Sequence, residues 1–104
     1  MVETHWGDIA GREVRYTDHT WELTGNVGVR NSGESLAVEA KQADDVRGET
    51  ATLHFEVEDP ADSLNPGNLG EHFDSLERTR EGQYLVVKKD RRTYRYELRR
   101  LEYD

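Results

Sequence analysis

The chain has 104 residues, the size of one ordinary domain spanning 1–104, and carries 22 Asp or Glu against 14 Lys or Arg, a formal net charge of −8. The absence of cysteine excludes disulfides, cysteine-ligated zinc and a cysteine nucleophile. No apolar run is long enough to span a membrane, and Met1-Val2-Glu3-Thr4-His5 lacks the charged and apolar segments of a secretory signal, so a cytoplasmic protein without membrane contact is expected.

In chain order, the first segment is ambiguous. Asp8-Ile9-Ala10-Gly11 reads as a turn and Glu13 to Thr17 as a short strand with Val14 and Tyr16 on one face. Next, Trp21, Leu23, Val27 and Val29 hold odd positions, the period of two of a half-buried strand. Gly25-Asn26-Val27-Gly28 interrupts it and predicts a kink or bulge, not a phosphate cradle. Beyond the loop signal Asn31-Ser32-Gly33, Leu36, Val38 and Ala40 hold even positions. Pairing Arg30 with Ser35 sets Val29 opposite Leu36 and Val27 opposite Val38, so both apolar sets share a face.

After the polar loop at Asp44–Gly48, Ala51, Leu53, Phe55 and Val57 alternate with Thr52, His54, Glu56 and Glu58. That strand ends at Asp59-Pro60, where proline removes a donor. A helix is predicted next. Asn68-Leu69-Gly70-Glu71 fits a capping box, Leu69, Phe73 and Leu76 form a stripe at i, i+4 and i+7, Arg78 and Arg80 suit a last turn, and Gly82 a stop. The last hairpin pairs Lys88 with Thr93, setting Val87 opposite Tyr94 and Leu85 opposite Tyr96. Beyond Leu98 the parity slips to Leu101 and Tyr103, which predicts a bulge or strand end near Arg99-Arg100. The expected fold is therefore β-rich α+β: an antiparallel sheet or small partly open barrel, order β-β-β-β-α-β-β, with one helix docked on the sheet. An OB-like five-stranded barrel is the alternative, on strand order alone.

The basic residues are 11 Arg and 3 Lys, and isoleucine occurs once, as Ile9. This acid-rich, Lys-poor profile resembles that of cytosolic proteins of salt-loving archaea, which implies a halophilic protein. The physics agrees: a net −8 on a small domain repels itself, and molar salt, with a screening length of roughly 3 Å, removes that repulsion.

Charge is also segregated. Residues 1–77 hold 5 Arg or Lys against 17 Asp or Glu, whereas residues 78–104 hold 9 against 5. Lys88, Lys89, Arg91, Arg92, Arg95, Arg99 and Arg100 thus form a candidate interaction patch on the C-terminal hairpin. Arginine forks pair carboxylates well, so the leading expectation is a non-enzymatic interaction module: a homo-oligomer, homodimer first, or a protein adaptor. Single-stranded nucleic acid is the second reading, since cations interleaved with Tyr84 and Tyr103 suit stacking and phosphate contacts. A small-ligand-binding protein or enzyme with a sheet–helix cavity is the third, with His54, Tyr94 or Tyr96 as acid/base groups. No catalytic, cofactor or metal site is expected. His5, His19, His54 and His72 lack ligand spacing, although His54 and Glu56 share a strand face, and no nucleophile elbow, P-loop or dinucleotide fingerprint occurs.

Overall fold

The computed structural model describes residues 2–43, 48–58, 73–80, 82–89 and 91–103, the side chains of residues 2–4 and Ser32 excepted. Among these residues are eight strands and one short 3-10 turn (Asn31–Gly33), and no α-helix. The strands are β1 (Val2–His5), β2 (Glu13–Tyr16), β3 (His19–Arg30), β4 (Ser35–Gln42), β5 (Thr50–Val57), β6 (Phe73–Arg78), β7 (Gln83–Lys89) and β8 (Arg92–Tyr103). All pairings are antiparallel, in the order β1-β3-β4-β5-β8-β7-β6. β2 also pairs with β3. It lies opposite His19–Glu22 while β1 lies opposite Asn26–Val29, so the two share one strand position end to end. The result is a nearly closed barrel of seven strand positions. Its seam runs between β2 and β6, which are not hydrogen-bonded to each other among the described residues. There the Arg12 guanidinium lies 5.7 Å over the Phe73 ring.

Alternation built the interior. Trp21, Leu23, Val27 and Val29 of β3, Leu36, Val38 and Ala40 of β4, and Ala51, Leu53, Phe55 and Val57 of β5 are all buried in one cluster with Leu85, Val87, Tyr94, Tyr96 and Leu98. Each large apolar side chain so enclosed contributes about 1.5–3 kcal/mol. The hairpin registers read from the sequence are the observed ones: Arg30 faces Ser35 with Val27 opposite Val38, and Lys88 faces Thr93 with Val87 opposite Tyr94 and Leu85 opposite Tyr96. The Tyr96 hydroxyl donates to the Gly33 carbonyl at 2.7 Å, tying β8 to the β3–β4 turn from inside.

Two bulges keep the apolar rows inward. In β3 the register shifts between Leu23 and Val27. Gly25 sits there at φ +99, and a Cβ on it would stand 2.6 Å from His5 Cε1. In β8, His54 faces Arg100 while Phe55 faces Leu98, so Arg99 is the extra residue and Leu98 and Leu101 both turn inward.

The docked helix was an error. Of its described residues, Phe73–Arg78 form strand β6, paired with β7, and residues 79 and 80 follow it in the β6–β7 turn. The cause is a third bulge. Phe73 faces Val87 and Ser75 faces Val86, leaving Asp74 unpaired, so Phe73 and Leu76 both pack on the core from a strand. One bulge converts a period of two into an i, i+3 spacing, which imitates a helical stripe. The predicted cap, Asn68 to Glu71, lies outside the described residues. The fold class is accordingly all-β, not α+β, and its closure has seven strand positions, not the five of the OB-like alternative. The sheet–helix cavity goes with the helix. No helix of the described residues is long and apolar enough to cross a membrane.

Candidate functional site

Most cations of the predicted hairpin patch are engaged by this chain's own carboxylates. Lys88 pairs with Asp74 at 3.5 Å, Arg99 with Glu97 at 2.8 Å and Glu56 at 4.0 Å, and Arg100 with Glu102 at 2.8 Å. Arg95 lies 3.9 Å from Glu58 and 3.7 Å from Glu77, with its guanidinium carbon 4.2 Å over the Tyr84 ring. Tyr84 is itself buried and donates to Glu97 at 3.0 Å. These contacts follow from alternation: the outward rows set Glu97 and Glu102 two positions from Arg99 and Arg100 on β8 itself, and bring Glu56, Glu58, Asp74 and Glu77 of the first 77 residues beside Arg99, Arg95 and Lys88. Lys89, Arg91 and Arg92 lie at the hairpin tip, with Arg91 at φ +66.

The acid/base candidates do not converge. His54 points outward from β5, its Nε2 at 3.4 Å from Glu102 but without hydrogen-bond geometry. Tyr94 and Tyr96 are buried in the interior cluster, on the opposite face. Glu56, the suggested metal co-ligand, instead lies beside Arg99. His5 contacts Asn26 at 3.2 Å and His19 contacts Gln42 at 2.9 Å, while His72 lies outside the described residues. Among the described residues no three His, Asp or Glu gather as a metal site.

A different locus is assembled by the fold. At one end of the barrel, the β2–β3 turn, the β6–β7 turn and β8 enclose a cleft of about 380 Å³. Its floor is the end of the inward rows: Tyr16 of β2, Gln83 of β7 and Leu98 of β8. Three arginines rim it, Arg15, Arg78 and Arg80, against one described acid, Asp18. A second cleft of about 360 Å³ runs along the seam and shares Arg15, Arg78 and Gln83 with the first. Barrel mouths are recurrent ligand sites.

The rim is firmly built. Tyr16 reaches β8 through its hydroxyl, 3.4 Å from the Arg99 carbonyl, and its own carbonyl accepts from Trp21 Nε1 at 3.2 Å. Gln83 is buried and donates to the Glu77 carbonyl at 2.9 Å, and Thr79 N–H bonds the Gly82 carbonyl at 2.9 Å. Thr17 and Asp18 close the β2–β3 hairpin at φ +52 and +63. A β-branched residue in that region is an outlier, and such strain concentrates where a site is being shaped. Among the described residues, no carboxylate lies within ion-pair distance of Arg15, Arg78 or Arg80, although the chain has 22 acids and pairs Lys88, Arg95, Arg99 and Arg100.

Comparison with protein families, curated proteins and solved structures yields no match.

Sequence reasoning assigned Arg78 and Arg80 to a helix end and left Arg15 unremarked. The signal it passed over was the cluster Arg78-Thr79-Arg80-Glu81-Gly82, which is as good a hairpin turn as a helix stop.

Proposed function

We propose that the protein is a non-enzymatic binding module that engages its partner at the barrel mouth. The observation that carries this reading is the convergence of Arg15, Arg78 and Arg80, without carboxylate partners among the described residues, on a preformed cleft of an acidic chain. A guanidinium with no carboxylate partner among the described residues of so acidic a chain is available for an incoming anion, and its fork suits a carboxylate or phosphate. The partner we favour is an acidic segment of another protein, in a salt-rich cytoplasm to which the composition is suited. A second copy of this chain, itself at −8, is one such protein. Pairing through the sheet edges has less support, since β1 and β2 have 4 residues each and β6 carries Asp74, Glu77 and Arg78, features that blunt edge association.

The reading moves the docking surface away from the hairpin, whose cations are largely consumed within the molecule. The same consumption weakens the case for single-stranded nucleic acid, and so does salt, because counterion release contributes little at high ionic strength. The separation of His54 from Tyr94 and Tyr96 favours binding over catalysis. The test is fluorescence anisotropy in molar KCl with a Glu-rich peptide and a single-stranded oligonucleotide of equal length. The peptide should bind and lose affinity in Arg15→Gln and Arg78→Gln, with Arg91→Gln unaffected. Oligonucleotide binding abolished by Arg91→Gln or Arg92→Gln, with the peptide inert, would overturn it.

A further inference from the structure

The charge and shape of the mouth also specify the group it takes. We propose that Arg15, Arg78 and Arg80 form a site for a terminal phosphoryl dianion. This rests on the mouth being the binding site, though not on the partner being a protein.

Stoichiometry of charge is the first argument. Three guanidiniums and one carboxylate, Asp18, give the described residues of the rim a formal +2. A single carboxylate saturates one arginine fork with its two oxygens. A phosphoryl group presents three terminal acceptor oxygens and close to two negative charges at neutral pH, which matches three forks.

The positions of the arginines give the second. Arg15 comes from β2, Arg78 from the end of β6 and Arg80 from the turn beyond it, so the three approach one cleft from both sides of the seam. A group held between them closes the barrel electrostatically where the sheet leaves it open. Tyr16 and Gln83 of the floor are fixed by their own hydrogen bonds, so the binding surface needs little reordering before the ligand arrives.

Solvent supplies the third. At the high salt for which the composition is suited, a monovalent anion competes poorly with abundant chloride. A multivalent oxyanion, held by directed bidentate bonds, keeps the larger advantage when long-range attraction is screened.

The volume sets the scale. About 380 Å³ accommodates a phosphoryl group with a small body attached, and Tyr16 and Leu98 offer apolar contact for that body. The phosphoryl group has two possible sources, a phosphorylated side chain of a protein or a small phosphorylated metabolite, and the chemistry at the rim is the same for both.

The test is a calorimetric titration of the full chain in molar KCl with four probes: inorganic phosphate, phenyl phosphate, a phosphoserine peptide, and the same peptide with glutamate in place of phosphoserine. All three phosphoryl probes should bind, phenyl phosphate more tightly than inorganic phosphate. Arg78→Gln and Arg80→Gln should each weaken phosphate by about tenfold or more, while Arg91→Gln, at the hairpin tip, leaves it unchanged. Since Arg78 and Arg80 are exposed, melting temperatures without phosphate should stay close to that of the parent chain, which separates loss of binding from loss of folding. Phosphoserine-peptide binding tighter than phenyl phosphate assigns the phosphoryl group to a protein, and the reverse order assigns it to a metabolite. The glutamate peptide binding at the mouth with every phosphoryl probe silent would overturn this inference and leave the binding-module reading standing. Phosphoryl probes binding equally to the parent chain and to Arg78→Gln and Arg80→Gln would overturn both.

Discussion

Replacing Tyr96 with Phe tests the interior at its most specific contact. The Tyr96 side chain is fully buried, and its hydroxyl donates to the Gly33 carbonyl at 2.7 Å across 63 residues of sequence. Phenylalanine keeps the ring and its packing, so no large cavity opens. What is lost is the hydroxyl's bond to Gly33, whose buried acceptor is left without that donor. Stranding a buried acceptor costs about 1–3 kcal/mol, more than the ~1 kcal/mol net value of an average hydrogen bond. A chain of this size unfolds with an entropy near ~0.2 kcal/mol/K, so the melting temperature should fall by about 5–14 °C. Urea unfolding in molar KCl should give the same loss with an unchanged slope, because the surface exposed on unfolding is unchanged. A loss under about 0.5 kcal/mol would refute the claim that this bond ties β8 to the β3–β4 turn, and a changed slope would mean that the variant alters the folded or unfolded ensemble instead.

Three further outcomes are expected. Deleting Asp74 removes the bulge residue and lets Phe73 face Val87 and Leu76 face Leu85 in a regular ladder, so stability should change by about 1 kcal/mol or less. In a helix the same deletion would turn Phe73 and Leu76 apart by about 100°, and a loss of several kcal/mol in urea unfolding would revive that element. Melting temperature should climb by several degrees from low salt to molar KCl, since screening relieves a net −8 while the exposed pairs it weakens, Arg99 with Glu97 and Arg100 with Glu102, are worth little each. A flat profile would dispose of the salt-adapted reading. Arg99→Glu sets a third carboxylate beside Glu56 and Glu97. It should cost under about 1 kcal/mol at low salt and less at molar salt, and an equal cost at both would show that packing, not charge, holds Arg99.

How much of this was legible in the chain depends on whether a row of side chains kept its parity. Where alternation ran unbroken, as from Ala51 to Val57, or where a hairpin allowed two rows to be checked against each other, face and register followed from the sequence. The slip between Leu98 and Leu101 was legible too, because a long regular run preceded it. Phe73 and Leu76 had no such run beside them. With a bulge at Asp74 their spacing is common to both a bulged strand and a helix, and only the pairing with β7 decides. The surroundings of the hairpin's cations were less legible for a related reason. The hairpin's cations form a block in sequence, but a strand presents its charges to its neighbours, and the acids of β5 and β6 lie next door in space. Arg15 lies 63 positions from Arg78, so the mouth exists only once the sheet curls to bring β2 near β6.

Where an anion lands on the barrel separates the mouth from the hairpin. Backbone amide chemical shifts of the full chain in KCl, followed as inorganic phosphate is added, give that position without any variant. The amides of residues 16–18 and of residues 79, 80, 82 and 83 should move together and saturate on one curve, with residues 91–95 unmoved. Shifts confined to residues 91–95, or no saturable shift at the mouth, would contradict the claim that the arginine-lined end of this barrel is its phosphoryl site.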